Sequence, residues 1–231
     1  GLNDGGKEFY KKSESKDLML NFLDVQDTAA VRSRTGAYQS YTIGPAGKRV
    51  KIILLDTRYF RDGLKPDPSP NNRYFPNPEG DILGEAQWQW LETELRNSDA
   101  QLHLIASSIQ VLPQEHGYEK WSNFPTARQR LIDLLAAVKP GFTLLLSGDR
   151  HLAEVSKTTV DGLPYPLYEV TSSGLTHSYE EANEPNQYRV SALVGQKNYG
   201  LLQIDWSGTD PAFSVQIKGL NDQIFINLPV K

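Results

Sequence analysis

Cysteine is absent from the 231-residue sequence. No disulfide framework, thiolate nucleophile or zinc–thiolate site can therefore form within it, and the redox compartment stays open. Long apolar runs are missing too: none approaches the roughly 20 residues that a membrane-spanning helix needs. Basic clusters are equally scarce. With 24 Lys and Arg against 28 Asp and Glu, the formal charge is −4. Duplex nucleic acid gripped by a broad cationic face is thus not an expected partner, whereas a local cationic pocket for one phosphate is compatible with this balance. No signal peptide is visible, but the sequence begins at Gly1 rather than Met, and polypeptide upstream of it is expected.

What is present suits one sizeable α/β domain: 39% hydrophobic and 23% charged residues lie near the globular average, and this length buries a core unaided. Residues 1–10 are polar and glycine-rich and read as a loop. Leu18, Leu20, Phe22 and Leu23 suggest a helix over 13–25. Tyr38, Tyr41 and Ile43 alternate, Gly44-Pro45-Ala46-Gly47 turns the chain, and an apolar strand from Val50 to Leu55 follows, predicting a hairpin. Residues 61–80 carry five prolines and two glycines and predict a long loop; loops beyond about 15 residues usually serve a function. Helices are predicted over 84–97 and 125–138, strands over 102–106 and 142–146, and a second loop over 113–123. Short strands at 167–170, 201–205, 213–217 and 224–226, with a turn at Ser207-Gly208-Thr209-Asp210, predict an antiparallel second half.

The chemistry concentrates after the third apolar strand, where Leu144-Leu145-Leu146 runs into Ser147-Gly148-Asp149-Arg150-His151. Ligands bind at the carboxyl ends of strands in α/β sheets. In an extended segment residues i and i+2 point the same way, so Asp149 and His151 are expected to face one site. Gly148 is expected to provide the sharp turn before them. Carboxylate plus imidazole suits iron, manganese, zinc or calcium. The spacing alone equally suits a surface aspartate beside a hydrogen-bonded histidine, and two ligands do not make a metal site.

Several further stretches occur in order: Leu55-Asp56-Thr57-Arg58-Tyr59, Leu83-Gly84-Glu85-Ala86-Gln87-Trp88-Gln89-Trp90-Leu91, Ser107-Ser108-Ile109-Gln110-Val111, Thr171-Ser172-Ser173-Gly174-Leu175-Thr176-His177-Ser178 and Asn198-Tyr199-Gly200. Together with the Ser-Gly-Asp-Arg-His run, this set resembles the C-terminal part of the alkaline phosphatase D family, a branch of the calcineurin-like metallophosphoesterases. The resemblance extends from the first residues to about Trp206. It implies that residues 1–231 are the C-terminal portion of one α/β/β/α sandwich domain with antiparallel strands near its end. It also implies hydrolysis of phosphate mono- or diesters by metal-activated water, a phosphate-ester small molecule as substrate, no organic cofactor and an extracytoplasmic location. Asp149 and His151 match metal-ligand positions. Gln110 lies near a superfamily site position, and Asn3 and Asp4 lie just beyond the family's Trp-Asp-Asp-His-Asp-Tyr motif. That motif is not in this sequence, so the remaining ligands are expected from an N-terminal half of the same protein. The alternative is a non-catalytic structural or interaction module of a degenerate homologue.

Arg58, after an apolar strand, either contacts a phosphate with its guanidinium fork or forms a structural ion pair. Arg150 is expected to point away from the site, toward a carboxylate. His177 suits substrate-side work or plain surface placement, His116 a solvent-exposed position, and His103 packing within its strand. Trp88, Trp90 and Trp121 read as packing anchors, while Tyr118, Trp121 and Phe124 are also candidates for a cleft lining. Ser107 and Ser108 lack a Gly-x-Ser-x-Gly elbow, which argues against a serine hydrolase.

Overall fold

A computed structural model describes residues 2–69, 73–208 and 211–231. Thr209 and Asp210, the second half of the turn expected at Ser207, lie outside the described residues, as does Gly1. The elements in chain order are α1 (Lys12–Phe22), α2 (Ala30–Ser33), β1 (Gln39–Ile43), β2 (Val50–Leu54), β3 (Lys65–Pro66), β4 (Tyr74–Phe75), α3 (Glu85–Arg96) and β5 (Leu102–Ala106). They continue with α4 (Pro125–Val138), β6 (Phe142–Ser147), β7 (Ala153–Thr158), β8 (Leu167–Ser172), β9 (Tyr199–Asp205), β10 (Ala212–Lys218) and β11 (Ile224–Pro229).

Six strands form a mixed sheet in the order β1-β2-β5-β6-β8-β7, and β9, β10 and β11 form a separate antiparallel sheet. The hairpin is as expected, antiparallel with Gln39 opposite Leu54 and Ile43 opposite Val50. β2, β5, β6 and β8 run parallel, so their carboxyl ends open on one side. Alternation along the strands sorts two cores, because successive side chains leave opposite faces. Ile53, Ile105 and Leu145 pack with Trp88, Leu91 and Leu95 of α3 and Leu131 and Leu135 of α4. Leu102, Leu144 and Val170 point the other way, onto Phe213, Val215 and Ile217 of β10. Each fully buried leucine or isoleucine here contributes about 1.5–3 kcal/mol. The layers are thus helix, sheet and sheet, a mixed α/β architecture.

One expectation is corrected, and two features lay outside the sequence reading. The strand near 167–170 does not belong to the antiparallel half: β8 pairs parallel with β6, Leu144 opposite Tyr168. β7 follows the Asp-Arg-His run and pairs antiparallel with β8 at the sheet edge. It escapes hydropathy reading because Glu154 and Ser156 are buried alongside Ala153 and Val155, leaving no alternation. In α1 the apolar residues do not mark a core face: Leu20 is buried, while Leu18 and Phe22 are 69% and 88% exposed. No described helix is long and apolar enough to cross a membrane.

Candidate metal and phosphate site

The carboxyl ends of β2, β5 and β6 deliver three loops to one place. After β2, the Asp56 carboxylate accepts from the backbone N–H of Arg58 at 3.0 Å and of Tyr59 at 2.8 Å through Oδ1, and from Ala37 at 2.8 Å through Oδ2. These bonds close a tight turn that projects Arg58. Gln87, fully buried on α3, brackets the same residue, accepting from Asp56 N and donating to Asp56 O, both at 2.9 Å. The Thr57 and Ser108 hydroxyls meet, joining the β2 and β5 loops. The Leu-Asp-Thr-Arg and Gly-Glu-Ala-Gln stretches are therefore parts of one device for aiming Arg58.

After β6 the chain is not extended. Asp149 has φ 70° and His151 φ 54°, two left-handed non-glycine residues, each costing about 1–3 kcal/mol. The expected role of Gly148 is corrected as well, since the left-handed conformations fall on the two residues carrying the side chains. Asp149 and His151 nonetheless line one cleft of about 420 Å³ with Asn3, Asp4, Arg73, Tyr118, Glu119, Arg150 and Tyr179. An adjoining cleft of about 720 Å³ shares Asn3, Asp4 and Asp149 with it and adds Arg58 and Ser108. His177 stands beside the pair, its ring meeting that of His151 edge to face at 5.0 Å. Asn3 is exposed at the rim.

Arg58 forms ion pairs on two sides. Its Nη2 lies 3.8 Å from Asp149 Oδ1, and its Nη1 lies 2.5 Å from Glu119 Oε2. Glu119 in turn is 2.8 Å from Arg61 Nε, and Arg61 is fully buried. Burial pushes the Glu119 carboxyl up to about 7, with Asp4 and Asp149 adding to the rise and Arg58 and Arg61 opposing it. Asp4 is fastened by the Tyr74 hydroxyl, which donates to its carboxylate at 2.5 Å, and by Arg61 on its carbonyl; burial and that bond raise the Tyr74 hydroxyl to about 12.

Gln110 does not face the cleft. It is fully buried, and its amide nitrogen donates to Glu154 and Thr171, each at 2.8 Å. His116 is also corrected, being 3% exposed rather than solvated. Its Nδ1 accepts from Tyr118 N at 3.2 Å, and burial holds its pKa down to about 2. Trp121 and Phe124 are fully buried packing residues, whereas Tyr118 does line the cleft. His103 is buried in β5 with its Nε2 2.8 Å from Ser98 Oγ. Arg150 pairs with a carboxylate, Glu184, as expected, but it does not leave the site: it lines the same cleft as Asp149 and His151.

A carboxylate and an imidazole on one turn form a donor set suited to a divalent or trivalent cation. No group of three or more histidine, aspartate or glutamate side chains is arranged to hold a metal among the described residues. The pair thus fits as part of a ligand set. Glu119, Arg61 and Glu184 were not found from sequence, because their partners lie far along the chain. The signal available was the cluster of charged residues among aromatics in Tyr118-Glu119-Lys120-Trp121.

Comparison with known proteins bears on the family and the fold. The family model described as PhoD-like phosphatase matches residues 15–207. Alkaline phosphatase D of Bacillus subtilis (strain 168) is 30% identical over 150 residues, covering 59% of this chain and 24% of that protein. A solved structure of PhoD superposes with a TM-score of 0.61 over 91% of this chain and 47% of that one, at 15% identity, a likeness of fold. The chain spans about a quarter of the curated relative and about half of the solved structure.

Proposed function

Because the chain belongs to the PhoD-like phosphatase family, we propose that it carries part of the active site of a metal-dependent phosphoesterase. Asp149 and His151 would hold the cation, with iron, calcium, manganese or zinc as candidates. A cation held there supplies Lewis acidity toward the phosphoryl group and lowers the pKa of an attacking water. The remaining ligands come, on this reading, from polypeptide beyond these residues, the N-terminal half being the partner. The observation that carries the proposal is the shared cleft: Asp149 and His151 line it together, and Arg58 ends beside Asp149.

The protein's own residues divide the work. Arg58, held by the Asp56 turn and by Glu119, presents its planar fork to the phosphoryl oxygens, where charge develops. Asn3 borders the space in which the ester sits, and His177 stands beside His151 as a further candidate contact. The acidic overall balance favours a small phosphate ester over nucleic acid as substrate.

The test is Asp149→Asn in the intact protein, with metal content measured by elemental analysis and hydrolysis followed with p-nitrophenyl phosphate and bis-p-nitrophenyl phosphate. Loss of both metal and turnover is expected. Full metal content and full turnover in the variant would refute the reading. A wild-type protein lacking both would instead favour the non-catalytic module, for which the observation is the absence of a three-ligand group among the described residues.

A further inference from the structure

The turn that carries the ligand pair is held from outside by residues the hydrolytic reading leaves unused. Arg150, between the two ligands, keeps only 7% of its side chain exposed and pairs with Glu184, itself 12% exposed. The contact is two-pronged, with Nη2 on Oε1 and Nε 3.3 Å from Oε2. The Arg150 guanidinium also lies 3.8 Å over the ring of Tyr118, a wall of the cleft.

The segment bearing Glu184 grips the turn a second time. Tyr179 N donates to the carbonyl of His151 at 2.7 Å. Glu184 is anchored in turn: Arg189 Nη2 donates to its carbonyl at 2.6 Å, while Arg189 Nε sits 2.5 Å from Glu154 Oε2 on edge strand β7. A route of short contacts thus runs from the rigid sheet through Arg189 and Glu184 to Arg150.

Two left-handed non-glycine residues persist only where the surroundings over-determine them. The surroundings here include a backbone bond to His151 and a buried ion pair to Arg150. Arg150 joins Glu184 on one side to the Tyr118 ring on the other.

We infer that Glu184 is a positioning residue for the candidate ligands, fixing through Arg150 the turn that presents Asp149 and His151. This rests on the ligand reading above. Groups that orient metal ligands from behind are worth about ten- to a hundredfold in metal affinity.

The experiment uses the intact protein and Mn²⁺ alone as probe, with affinity measured by titration calorimetry beside thermal midpoints. Glu184→Gln is expected to weaken Mn²⁺ binding about ten- to a hundredfold, Glu184→Asp to restore part of it, and Arg150→Gln combined with Glu184→Gln to lose no more than Arg150→Gln alone. A merely structural glutamate would lower the thermal midpoint and leave Mn²⁺ affinity of the folded protein unchanged; that result, or losses that multiply in the double variant, overturns the inference. If the wild type and Asp149→Asn bind Mn²⁺ alike, the ligand reading has failed instead. Amide hydrogen exchange of residues 148–152 in metal-free protein then decides: faster exchange in Glu184→Gln supports the positioning role, and unchanged exchange overturns it.

Discussion

Arg58 Nη2 ends 3.8 Å from Asp149 Oδ1 while its Nη1 rests on Glu119, so one guanidinium bridges a candidate metal ligand and a buried carboxylate. A side chain shared in this way is oriented before any substrate arrives. The side chain of Arg58 stays 35% exposed, leaving donors free for a phosphoryl oxygen. Lysine in its place offers one point charge without the fork.

Arg58→Lys is therefore expected to lower kcat/KM in the intact protein. Losing a hydrogen bond to a charged group costs about 1.5–3 kcal/mol, which at about 1.36 kcal/mol per decade corresponds to about a ten- to hundredfold decrease. Metal content should not change. Unaltered steady-state kinetics with p-nitrophenyl phosphate would mean that Arg58 is only a structural ion-pair partner.

His116 predicts a pH dependence. Burial holds it down to about 2 from 6.5, so between those values the unfolded chain binds a proton that the folded chain does not. Stability tied to this residue is complete above 6.5 and falls as the pH drops below it. By pH 5 the deficit is about 2 kcal/mol, at about 1.36 kcal/mol per unit. His116→Gln should flatten the decline between pH 7.5 and 5 by that amount in urea midpoints; His103, lowered to about 4 by burial, remains in both proteins. Parallel curves for wild type and variant would place His116 in solvent.

Two glycines in the family-like stretches should respond differently to alanine. Gly84 precedes α3 with φ 71° and ψ 150°, a region that only glycine occupies comfortably, and a Cβ there meets the Phe60 ring at 3.0 Å. Gly84→Ala should cost about 1–3 kcal/mol in urea unfolding. Gly148 has no positive φ, and a Cβ there meets Ser108 O and Ser173 Cβ at an ordinary 3.6 Å. Gly148→Ala should stay within about 0.5 kcal/mol. A reversed order would show that the turn before the ligands needs its glycine after all.

Sequence legibility followed the range of the interactions involved. β2, β5 and β6 were plain because parallel strands covered on both faces read as apolar runs; Asp149 and His151 do line one cleft past β6, but not through the extended backbone expected there. β7 was hidden because Glu154 is buried on Arg189 and Gln110, partners 35 and 44 residues away. Glu119 and Glu184 were missed for the same reason: a charge reads as surface until its distant counter-charge is known. His116 failed likewise, since a loop histidine gives no sign of the wall around it. The helix at Lys12–Phe22 was found by periodicity, but periodicity did not say which face is covered, and Leu18 and Phe22 stand in solvent.

Gln110 separates a residue near a site from one in it. Resemblance placed it against substrate, yet it is fully buried and its amide is committed to Glu154 and Thr171. Those neighbours keep other partners, Arg189 at 2.5 Å for Glu154 and Ser147 at 2.9 Å for Thr171. Gln110 Oε1, in contrast, has no hydrogen-bond partner among the described residues, and its removal relieves a small penalty. Gln110→Leu should therefore cost about 1–2 kcal/mol, near the lower end for a lost charge-assisted bond. KM in the intact protein should not move. A variant with unchanged urea midpoint and a raised KM would return Gln110 to the substrate.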